Sequence, residues 1–479
     1  MKKIYIILAA AAICLPATAQ NLNSAYFLDG YKYSHRLNPA FAPSRSYFSI
    51  PVVGGLSANV RSDMGISTFL YPEGDGLTTF MNGSVSSEEF LSRLKRNNDL
   101  SANLGVNLLS MGIWGRDGFT SAEINLRIGA NANIPRDLFD FMKNVGAKSS
   151  YNISDLDIRA QSYVELALGH SHVINENLNV GAKVKFLVGV ADASAHVDDL
   201  NVVMNEDLWK ITAAGRLDAN VPGLSIPTKE GSNELDFNGI AFDGEKLTED
   251  LGSSLGYGAA IDLGAEYKFI DGPLEGLNLS AAVLNLGFIS WGAGNISGTT
   301  AGEDWEFSGF ENVSLDENSE NSIDTQIQAL GDDLAKLLVF NEAQPQGRTR
   351  MLDCTLNLGA EYEMPFYRKL SVGFLYSSRF SGLYSRHEGR FSANVTPLNW
   401  LGFSASYGIS NYGSSFGTVL NFDLPGFGLF IGSDCFNYRF TPPVESLGGL
   451  SVPTRKINLN VCLGITFNMG RMRSLGDMR

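Results

Sequence analysis

Charged side chains recur at alternate positions along several apolar segments of this 479-residue sequence. Alternate residues of a β-strand point to the same side, so these charges would share one face of their strands. A buried charge is costly unless it is paired or functional, so charges of both signs on an enclosed face either satisfy one another or line a path. The sequence leaves both interpretations open. The residues predicted to face inward are Glu123, Arg127, Asp157, Arg159, Glu165, Lys183, Lys185, Asp262, Glu266, Lys268, Asp353, Glu361 and Lys456.

Other arrangements that could bind a metal or catalyse a reaction are weak. His170 and His172 form an H-x-H pair, but no third ligand is near in sequence, so a zinc site is not predicted. The acidic stretch 316–324 lacks the glycine and the spacing of a calcium-binding loop. No serine-hydrolase, zinc-protease or phosphate-loop motif occurs. The sequence therefore predicts no enzyme, no metal and no cofactor.

The first residues, MKKIYIILAAAAICLPATAQ, have the features of a secretory signal peptide. Two lysines precede an apolar run over residues 4–15, and Ala17-Thr18-Ala19 is a small-residue cleavage site. The apolar run is too short for a membrane-spanning helix. We therefore predict export, with residues 1–19 removed by cleavage after Ala19.

The net charge and the cysteine content argue against some classes of partner and of site. The formal net charge of −15 argues against a nucleic-acid partner. Beyond the predicted signal peptide the cysteines are Cys354, Cys435 and Cys462, an odd and widely spaced set. The chain therefore lacks the cysteine pattern of a disulfide framework or a metal site.

Long segments of strict alternation indicate how the charged residues are positioned. Residues 457–469 alternate apolar and polar side chains, which is the pattern of a strand with two different faces. A β-sandwich also alternates, but these segments approach the ~9–11 residues of a membrane strand, and alanines occur on their apolar faces. We therefore predict an all-β transmembrane antiparallel barrel. Its fourteen predicted spans are 46–60, 99–112, 118–134, 154–170, 178–192, 254–269, 277–291, 350–363, 369–379, 384–396, 400–411, 415–424, 427–437 and 456–469.

The connections between these spans alternate between short and long. Short turns are typical of the periplasmic side of such barrels and long loops of the external side. The barrel would cover residues 46–469, with a periplasmic tail over 470–479 and large external loops at 61–98, 193–253 and 292–349. Residues 205–220 have a weak strand pattern, which we assign to an external hairpin because a fifteenth span would invert the alternation. Helices are predicted in the loops at 86–96, 135–145 and 323–337.

The segment that precedes the first span, HRLNPAFAP, is apolar and interrupted by two prolines. Proline lacks the N–H that a strand ladder needs, so this segment is not a strand. Its apolar side chains favour burial, and the barrel lumen offers it. We predict that residues 20–45 form an inward plug in which Asn38 anchors a turn; its proposed residues are Leu37, Asn38, Pro39, Phe41 and Pro43.

Three segments resemble an outer-membrane family of unknown function typical of Bacteroidota, DUF5723. They are the stretch from Ala25-Tyr26-Phe27 to Ile50-Pro51, LGVNLLSMGI at 104–113 and VLNLGFISW at 283–291. That family is similar to FadL-like fatty-acid transporters and to PorV-type barrels of a secretion system. The resemblance implies a fourteen-stranded barrel with an N-terminal hatch, and it implies no substrate. Gly54, Gly55 and Gly287 are positions where a strand could bend.

Two hypotheses for function follow. The first is an outer-membrane barrel that binds or transports a small hydrophobic or amphipathic molecule. The second is a PorV-like barrel that docks a protein partner or secretion cargo through its large external loops. Outer-membrane lipid and lipopolysaccharide are the expected surroundings in both.

Overall fold

Fourteen antiparallel strands close into one barrel in the computed structural model, which confirms the predicted fold class. Each strand pairs with the next along the chain, and the last pairs with the first, as in the register of Val461 with Ala58. The structure describes residues 22–73, 76–144, 148–204, 209–250, 254–300, 305–307, 340–436 and 456–472. The predicted signal peptide, the acidic stretch 316–324, the predicted helix 323–337 and residues 473–479 lie outside these ranges.

The strands are numbered here in chain order around the barrel. Their bounds are β1 Ser46–Ser49 and Leu56–Ser62, β2 Asn97–Trp114, β3 Gly118–Pro135, β4 Leu156–Val173, β5 Leu178–Met204, β6 Gly256–Lys268, β7 Leu277–Trp291, β8 Arg348–Met351 and Cys354–Glu363, β9 Leu370–Phe380, β10 Arg386–Leu398, β11 Leu401–Ser410, β12 Gly413–Leu424, β13 Phe427–Ser433 and β14 Ile457–Met469.

The two faces of the wall differ in chemistry as the alternation predicts. On the outside, Leu166 and Val184 are 44% and 57% exposed, whereas their neighbours Glu165 and Lys183 are buried in the interior. Apolar side chains outside and polar side chains inside are the arrangement of outer-membrane barrels. The wall therefore positions the predicted charged residues on the lumen side.

Two strands are interrupted where the sequence pattern predicts continuity. In β1, residues 50–55 depart from regular strand pairing, and Val52 has a left-handed φ of 69°. Backbone hydrogen bonds still join this stretch to both neighbours, from the Val52 N–H to Asn107 of β2 and from Ile465 of β14 to the Val53 carbonyl. In β8, Leu352 and Asp353 separate the two segments. The predicted spans 46–60 and 350–363 are therefore wrong in treating these strands as unbroken, and in β1 Pro51, which has no N–H to donate, lies inside the break.

The strand β5 continues beyond the barrel and pairs there with an external hairpin. Ala193 of β5 pairs with Ala219 of the strand Trp209–Asn220, whereas the inner half of β5 pairs with β6. Residues 209–220 are thus outside the barrel wall, as the count of connections predicts. The further short strands are Leu70–Glu73, Gly76–Thr79, Ser150–Ile153, Leu224–Ser225, Ala241–Phe242, Ile296–Thr300, Trp305–Phe307 and Phe340–Glu342.

Short helices lie in the long loops at the barrel end opposite the short turns. They are α1 Ile66–Phe69, α2 Ser87–Ser92, α3 Arg136–Lys143 and α4 Gly244–Asp250.

The helix α2 begins with the predicted capping box, since the Ser86 hydroxyl accepts a 3.1 Å hydrogen bond from the Glu89 N–H. It ends at Ser92, four residues before the predicted end, because the chain enters β2 at Asn97.

Pro135 caps α3 instead of being its first helical residue, because it also ends β3 in an extended conformation with ψ of 143°. The helices α2 and α3 bury Phe90 and Phe139 in a shared apolar cluster over one side of the mouth. None of the helices in the described part of the chain is long and apolar enough to cross a membrane.

Candidate functional site

The chain from Leu22 to Ser44, called here the inner segment, lies inside the barrel. Leu22, Tyr33 and Leu37 are each only 1% exposed, and two 3-10 turns, Asn23–Ala25 and Ser34–Arg36, fold the segment into a compact shape. The rings of Tyr31 and Tyr33 pack edge-on against Phe430 of β13, 5.1 and 5.6 Å away. The inner segment and the wall therefore share one apolar core.

Asn38 connects a turn of the inner segment to two wall strands. Its Oδ1 accepts a 2.9 Å hydrogen bond from the Ala40 N–H, so the side chain closes the turn. Its Nδ2 donates to the carbonyl oxygens of Ala265 in β6 and Ala281 in β7, at 3.2 and 3.4 Å. Gly264 allows this approach, because a Cβ there would lie 2.0 Å from Asn38 Oδ1.

Leu37 and Pro43 of the predicted plug also contact the wall. The Leu37 carbonyl accepts a 3.0 Å hydrogen bond from Asn357 Nδ2, and the Pro43 carbonyl accepts one of 2.9 Å from Trp114 Nε1. Phe41 packs edge-on against Tyr26 within the segment itself, with ring centroids 5.1 Å apart. The inner segment is thus fixed by polar and apolar contacts at several points.

A buried charge cluster joins the centre of the inner segment to β3 and β5. Glu123 accepts hydrogen bonds from Arg36 Nε at 2.6 Å and from Lys183 Nζ at 3.0 Å. The Lys183 Nζ also lies 3.2 Å from His35 Nδ1, and His35 Nε2 lies 2.7 Å from the Tyr47 hydroxyl. Burial and, to a smaller extent, the positive charge of Lys183 lower the pKa of His35 to about 3. His35 is therefore neutral at physiological pH, with Nδ1 accepting from Lys183.

A second buried ion pair lies near the barrel end with the short turns. Lys32 Nζ is 2.6 Å from Asp423 Oδ1, and both side chains are almost fully buried. Asp423 also accepts a 2.7 Å hydrogen bond from Asn468 Nδ2 and a short one from the Ser44 hydroxyl. Burial lowers the pKa of Lys32, although Asp423 raises it. The partners of Asp423 thus come from the middle and the C-terminal end of the inner segment and from β14.

A third contact fixes the start of the inner segment near the C-terminal end of β13, at the barrel end opposite the short turns. Asp434 accepts hydrogen bonds from the Asn23 and Ser24 N–H groups and from the Ser24 hydroxyl, at 2.9, 2.7 and 2.6 Å. The Ser24 hydroxyl also lies 2.8 Å from the Ser406 hydroxyl of β11. Arg390 of β10 donates to Ser406 at 2.8 Å.

The remaining predicted lumen residues pair across or along the wall. Glu361 accepts a 3.4 Å hydrogen bond from Asn278 Nδ2. These contacts favour mutual satisfaction of the charges; a substrate-lining role stays a prediction. The ion pairs, with their N–O distances, are Arg127–Glu165 (3.4 Å), Lys185–Asp262 (2.8 Å), Arg159–Asp157 (2.9 Å), Lys268–Glu266 (3.3 Å), Arg379–Asp353 (2.7 Å) and Lys456–Asp63 (3.7 Å).

Several buried charges were not singled out from the sequence. Arg386, Glu388 and Arg390 form a buried triad on β10, and Glu388 accepts from both arginines. Their spacing of two residues within the predicted span 384–396 places all three on one face of the strand, and this pattern could have identified them from the sequence. Lys32 and Arg36 had no such signal, because they lie in an irregular segment whose partners are distant in sequence.

The two histidines of the H-x-H pair lie together at the end of β4 but have no metal-binding surroundings. Their rings are 5.7 Å apart, and His170 Nδ1 is 2.9 Å from the Thr120 hydroxyl. Across the described ranges, no group of three or more His, Cys, Asp or Glu side chains is arranged to hold a metal.

A small cavity lies between the inner segment and the break in β1. Leu22, Leu37 and Phe430 give it apolar surface, Arg36 and Arg127 give it polar surface, and it reaches Gly55 at the edge of the break. The hydroxyl of Tyr33, which also lines it, donates a 2.5 Å hydrogen bond to the Gly54 carbonyl. The cavity measures about 40 Å³, enough for a water molecule or two.

Solved structures that the chain resembles are distant in sequence. The toluene transporter TbuX of Ralstonia pickettii is 8% identical, with coverage of 93% of this chain and 95% of that chain and a TM-score of 0.41. The toluene transporter TodX of P. putida is 9% identical, with coverage of 96% and 97% and a TM-score of 0.37. A FadL homologue of Pseudomonas aeruginosa is 11% identical, with coverage of 95% and 100% and a TM-score of 0.32.

The family comparison is more informative than these structures. No curated protein matches the chain. The family of unknown function DUF5723 matches residues 39–434, a range that runs from Pro39 of the inner segment to Asp434 beyond β13. The chain therefore belongs to the DUF5723 family.

Proposed function

We propose that this outer-membrane barrel binds a small hydrophobic or amphipathic molecule and admits it across the outer membrane, with the inner segment as its gate. The small cavity between the inner segment and the break in β1, which has both apolar and polar surface, is the observation that supports this most. Leu22 and Leu37 from the segment and Phe430 from the wall give it a surface that an apolar group can contact. The proposal involves binding and passage, with no catalytic step.

The break in β1 supplies a weak point in the wall beside that cavity. Ile50, Val52 and Val53 point outward, and each is more than 40% exposed on the surface that faces lipid. The Gly54 carbonyl, inside the break, is bonded to Tyr33 of the inner segment. A shift of Tyr33 would free this carbonyl and loosen the wall next to the cavity. The break would then connect the cavity to the membrane.

The inner segment must move for a ligand to enter. A cavity of about 40 Å³ is much smaller than the ~300–1,000 Å³ of ordinary ligand pockets. The larger space must come from displacement of the segment, because its side chains form one side of the cavity.

We also propose that outer-membrane lipid and lipopolysaccharide surround the wall, and that residues 1–19 are removed on export.

A reversible crosslink tests the gate. The hydroxyls of Ser24 and Ser406 are 2.8 Å apart, close to the geometry that a disulfide between cysteines at these positions needs. The variant Ser24→Cys/Ser406→Cys, with the three native cysteines of the exported chain changed to alanine, is assayed for uptake of a fluorescent dodecanoate by whole cells. We expect uptake to fall on oxidation and to return on reduction.

Two single-cysteine variants in the same background are the controls, since they cannot form the crosslink. Their uptake should not respond to oxidation. If the crosslinked barrel takes up the probe as fast as the reduced one, the inner segment is not the gate.

A second candidate function is docking of a protein partner at the external loops. Ile240 and Phe242, in the loop that follows the external hairpin, are 46% and 64% exposed. A photocrosslinking amino acid at Phe242 in intact cells should then give a discrete protein product. Recovery of only lipopolysaccharide and abundant porins would reject docking.

A further inference from the structure

The first and last strands of the barrel, β1 and β14, meet along a line that is called here the seam. Ser46 pairs with Met469 in the seam, although nearly the whole chain separates them. Pairing of strands so distant in sequence carries a larger loop-closure cost than pairing of two strands joined by a short turn. The departure of residues 50–55 from regular pairing weakens the seam further. The seam therefore needs more support from other parts of the chain than a hairpin does.

At the barrel end with the short turns, Asp423 of β12 connects the inner segment to β14. Lys32 Nζ lies 2.6 Å from Asp423 Oδ1, and Asn468 Nδ2 of β14 donates to the same oxygen at 2.7 Å. Gly428 lies opposite Asp423 in the intervening strand β13, and a Cβ added there would be 3.1 Å from Asn468 Oδ1. The glycine therefore leaves room for Asp423 to reach β14 across β13.

The residue that follows the inner segment, Arg45, extends this connection to the seam itself. Arg45 directly precedes β1, and Gly470 directly follows β14. The Arg45 Nη1 donates a 3.0 Å hydrogen bond to the Gly470 carbonyl, and the Arg45 Nε lies 3.8 Å from Asp423 Oδ1. The end of the inner segment is thereby attached to both sides of the seam.

At the opposite barrel end, Asp434 makes a similar connection beyond β13. It accepts hydrogen bonds from the Asn23 and Ser24 N–H groups at 2.9 and 2.7 Å. Its own N–H donates to Asn460 Oδ1 of β14 at 3.0 Å, and Asn460 lies opposite Asn59 of β1 in the seam. The start of the inner segment is thus joined to the other end of the seam.

Aromatic contacts connect the inner segment to the seam between these two levels. The rings of Tyr31 and Tyr33 pack edge-on against Phe430 of β13. The Tyr33 hydroxyl donates to the Gly54 carbonyl of β1, so this one side chain contacts strands on both sides of the seam. The contacts therefore occur at three levels along the height of the barrel.

The centre of the inner segment is held by strands from the first half of the chain. Arg36 donates to Glu123 of β3, and Asn38 donates to the carbonyls of Ala265 in β6 and Ala281 in β7. A segment fixed on these strands presents its two ends and its tyrosines to β12, β13 and β14. Docking of the last strands on this segment raises the effective concentration of β14 beside β1.

We propose that the inner segment is a closure clamp for the barrel: during assembly it binds the last strands through Asp423, Phe430 and Asp434 and so brings β14 to β1. The seam then pairs at a lower entropic cost than it would in an empty barrel. This role concerns assembly and requires no ligand, so it does not depend on the transport function proposed above.

Two cross-strand cysteine pairs test the clamp. Phe48 and Phe467 lie opposite each other on the outer face of the seam, with ring centroids 5.0 Å apart. Phe374 and Phe391 have the same relationship in β9 and β10, 4.8 Å apart. Each pair is changed to cysteines in the exported chain, with the three native cysteines changed to alanine. The denatured protein is refolded into phosphatidylcholine vesicles, and disulfide formation is measured after pulses of oxidant.

Carboxamide variants weaken the clamp at its two ends. Asp423→Asn and Asp434→Asn should each slow linkage of the seam pair about tenfold, while linkage of the β9–β10 pair stays within about twofold of its original rate. Asp262→Asn is the matched control, because Asp262 is as buried as Asp423 but is paired with Lys185 inside the wall at 2.8 Å, away from the seam. This control should leave the seam rate unchanged.

A charge exchange separates loss of the clamp from general misfolding. The variant Lys32→Asp/Asp423→Lys re-forms the ion pair with reversed charges, and the Asn468 amide can turn to accept from the new lysine. The seam pair should therefore link faster in this variant than in Asp423→Asn, including where Asp423→Asn fails to fold. No recovery in the exchange variant, an unchanged seam rate in both carboxamide variants, or equal slowing of the two cysteine pairs would overturn the proposal. Uptake is not the readout, so failure of the transport proposal leaves this result intact.

Discussion

The hydroxyl of Tyr33 donates a 2.5 Å hydrogen bond to the carbonyl oxygen of Gly54. Tyr33 belongs to the inner segment, and Gly54 lies in the part of β1, residues 50–55, that departs from regular strand pairing. The bond therefore couples the position of the inner segment to the closure of the wall. Because this hydrogen bond is buried, its loss would leave the Gly54 carbonyl without the Tyr33 hydroxyl as a partner, and such a loss costs free energy.

Tyr33→Phe should loosen the wall at the break while keeping the apolar contacts of the ring. We expect a loss of about 1 kcal/mol in the local stability of residues 50–55, seen as faster amide exchange of Val52 and Gly54, and a rise in dodecanoate uptake. Tyr412→Phe is the control, because it removes a comparable bond to Asp99 at the opposite end of the barrel. Equal exchange in both variants would show that the Tyr33 bond does not hold the break.

Asn38→Ala should release the turn of the inner segment. The change removes the bond that closes the turn and the two bonds to β6 and β7. Loss of such buried bonds costs about 1–3 kcal/mol, so the segment should be cut more quickly by protease added from the periplasmic side.

Asn177→Ala is the control for this variant, since Asn177 donates to the Lys268 carbonyl in a turn outside the inner segment. If both variants resist the protease as the unchanged protein does, Asn38 does not anchor the segment.

Alternation was sufficient to predict the barrel because each strand lies between two different solvents. Val184 faces lipid and Lys185 faces the lumen, so apolar and polar residues alternate along the sequence of β5. The break in β1 was not predictable in this way. Ile50, Val52 and Val53 are apolar and β-branched, which is typical of a strand, and only Pro51 and the possible bend at Gly54 and Gly55 indicate otherwise.

The candidate site was predictable in composition but not in its contacts. Glu123 and Lys183 were expected on one face, since their positions in alternating strands determine it. Their joint contact with Arg36 and His35 depends on how an irregular segment folds back into the lumen, and no local pattern encodes that. The small cavity beside the break in β1 arises from the same long-range packing.

Gly264→Ala should disturb the inner segment from the side of the wall. An added Cβ would lie 2.0 Å from Asn38 Oδ1, so the turn must move. We expect a loss of about 1–3 kcal/mol and faster proteolysis of the segment.

Gly83→Ala is the control for this change, because an added Cβ at Gly83 would meet no atom within 4 Å. In the double variant Gly264→Ala/Asn38→Ala the clash with Asn38 Oδ1 is absent, and approaches of 2.9 Å to Pro39 Cδ and 3.1 Å to the Ala40 nitrogen remain, so the two effects should add only in part. Full additivity in unfolding measurements would contradict direct contact.

Acid should release the inner segment through His35. The pKa of this side chain is lowered to about 3 by burial and by Lys183, from an ordinary value of 6.5. Between these two values the released segment binds a proton that the packed segment does not, so stability must fall as pH falls, by up to about 1.4 kcal/mol per pH unit. The groups facing His35 are Lys183, Glu123, Arg36 and Tyr47.

His35→Gln tests this prediction, because the glutamine amide can accept from Lys183 and donate to Tyr47 but does not titrate. We expect amide protection of residues 33–41 to decline between pH 6.5 and pH 4 in the unchanged protein and to decline less in the variant. Titration of Glu123 acts in both proteins, so the difference between them reports His35. If the two protection profiles fall in parallel, protonation of His35 does not control release, and the acid response must come from the carboxylates.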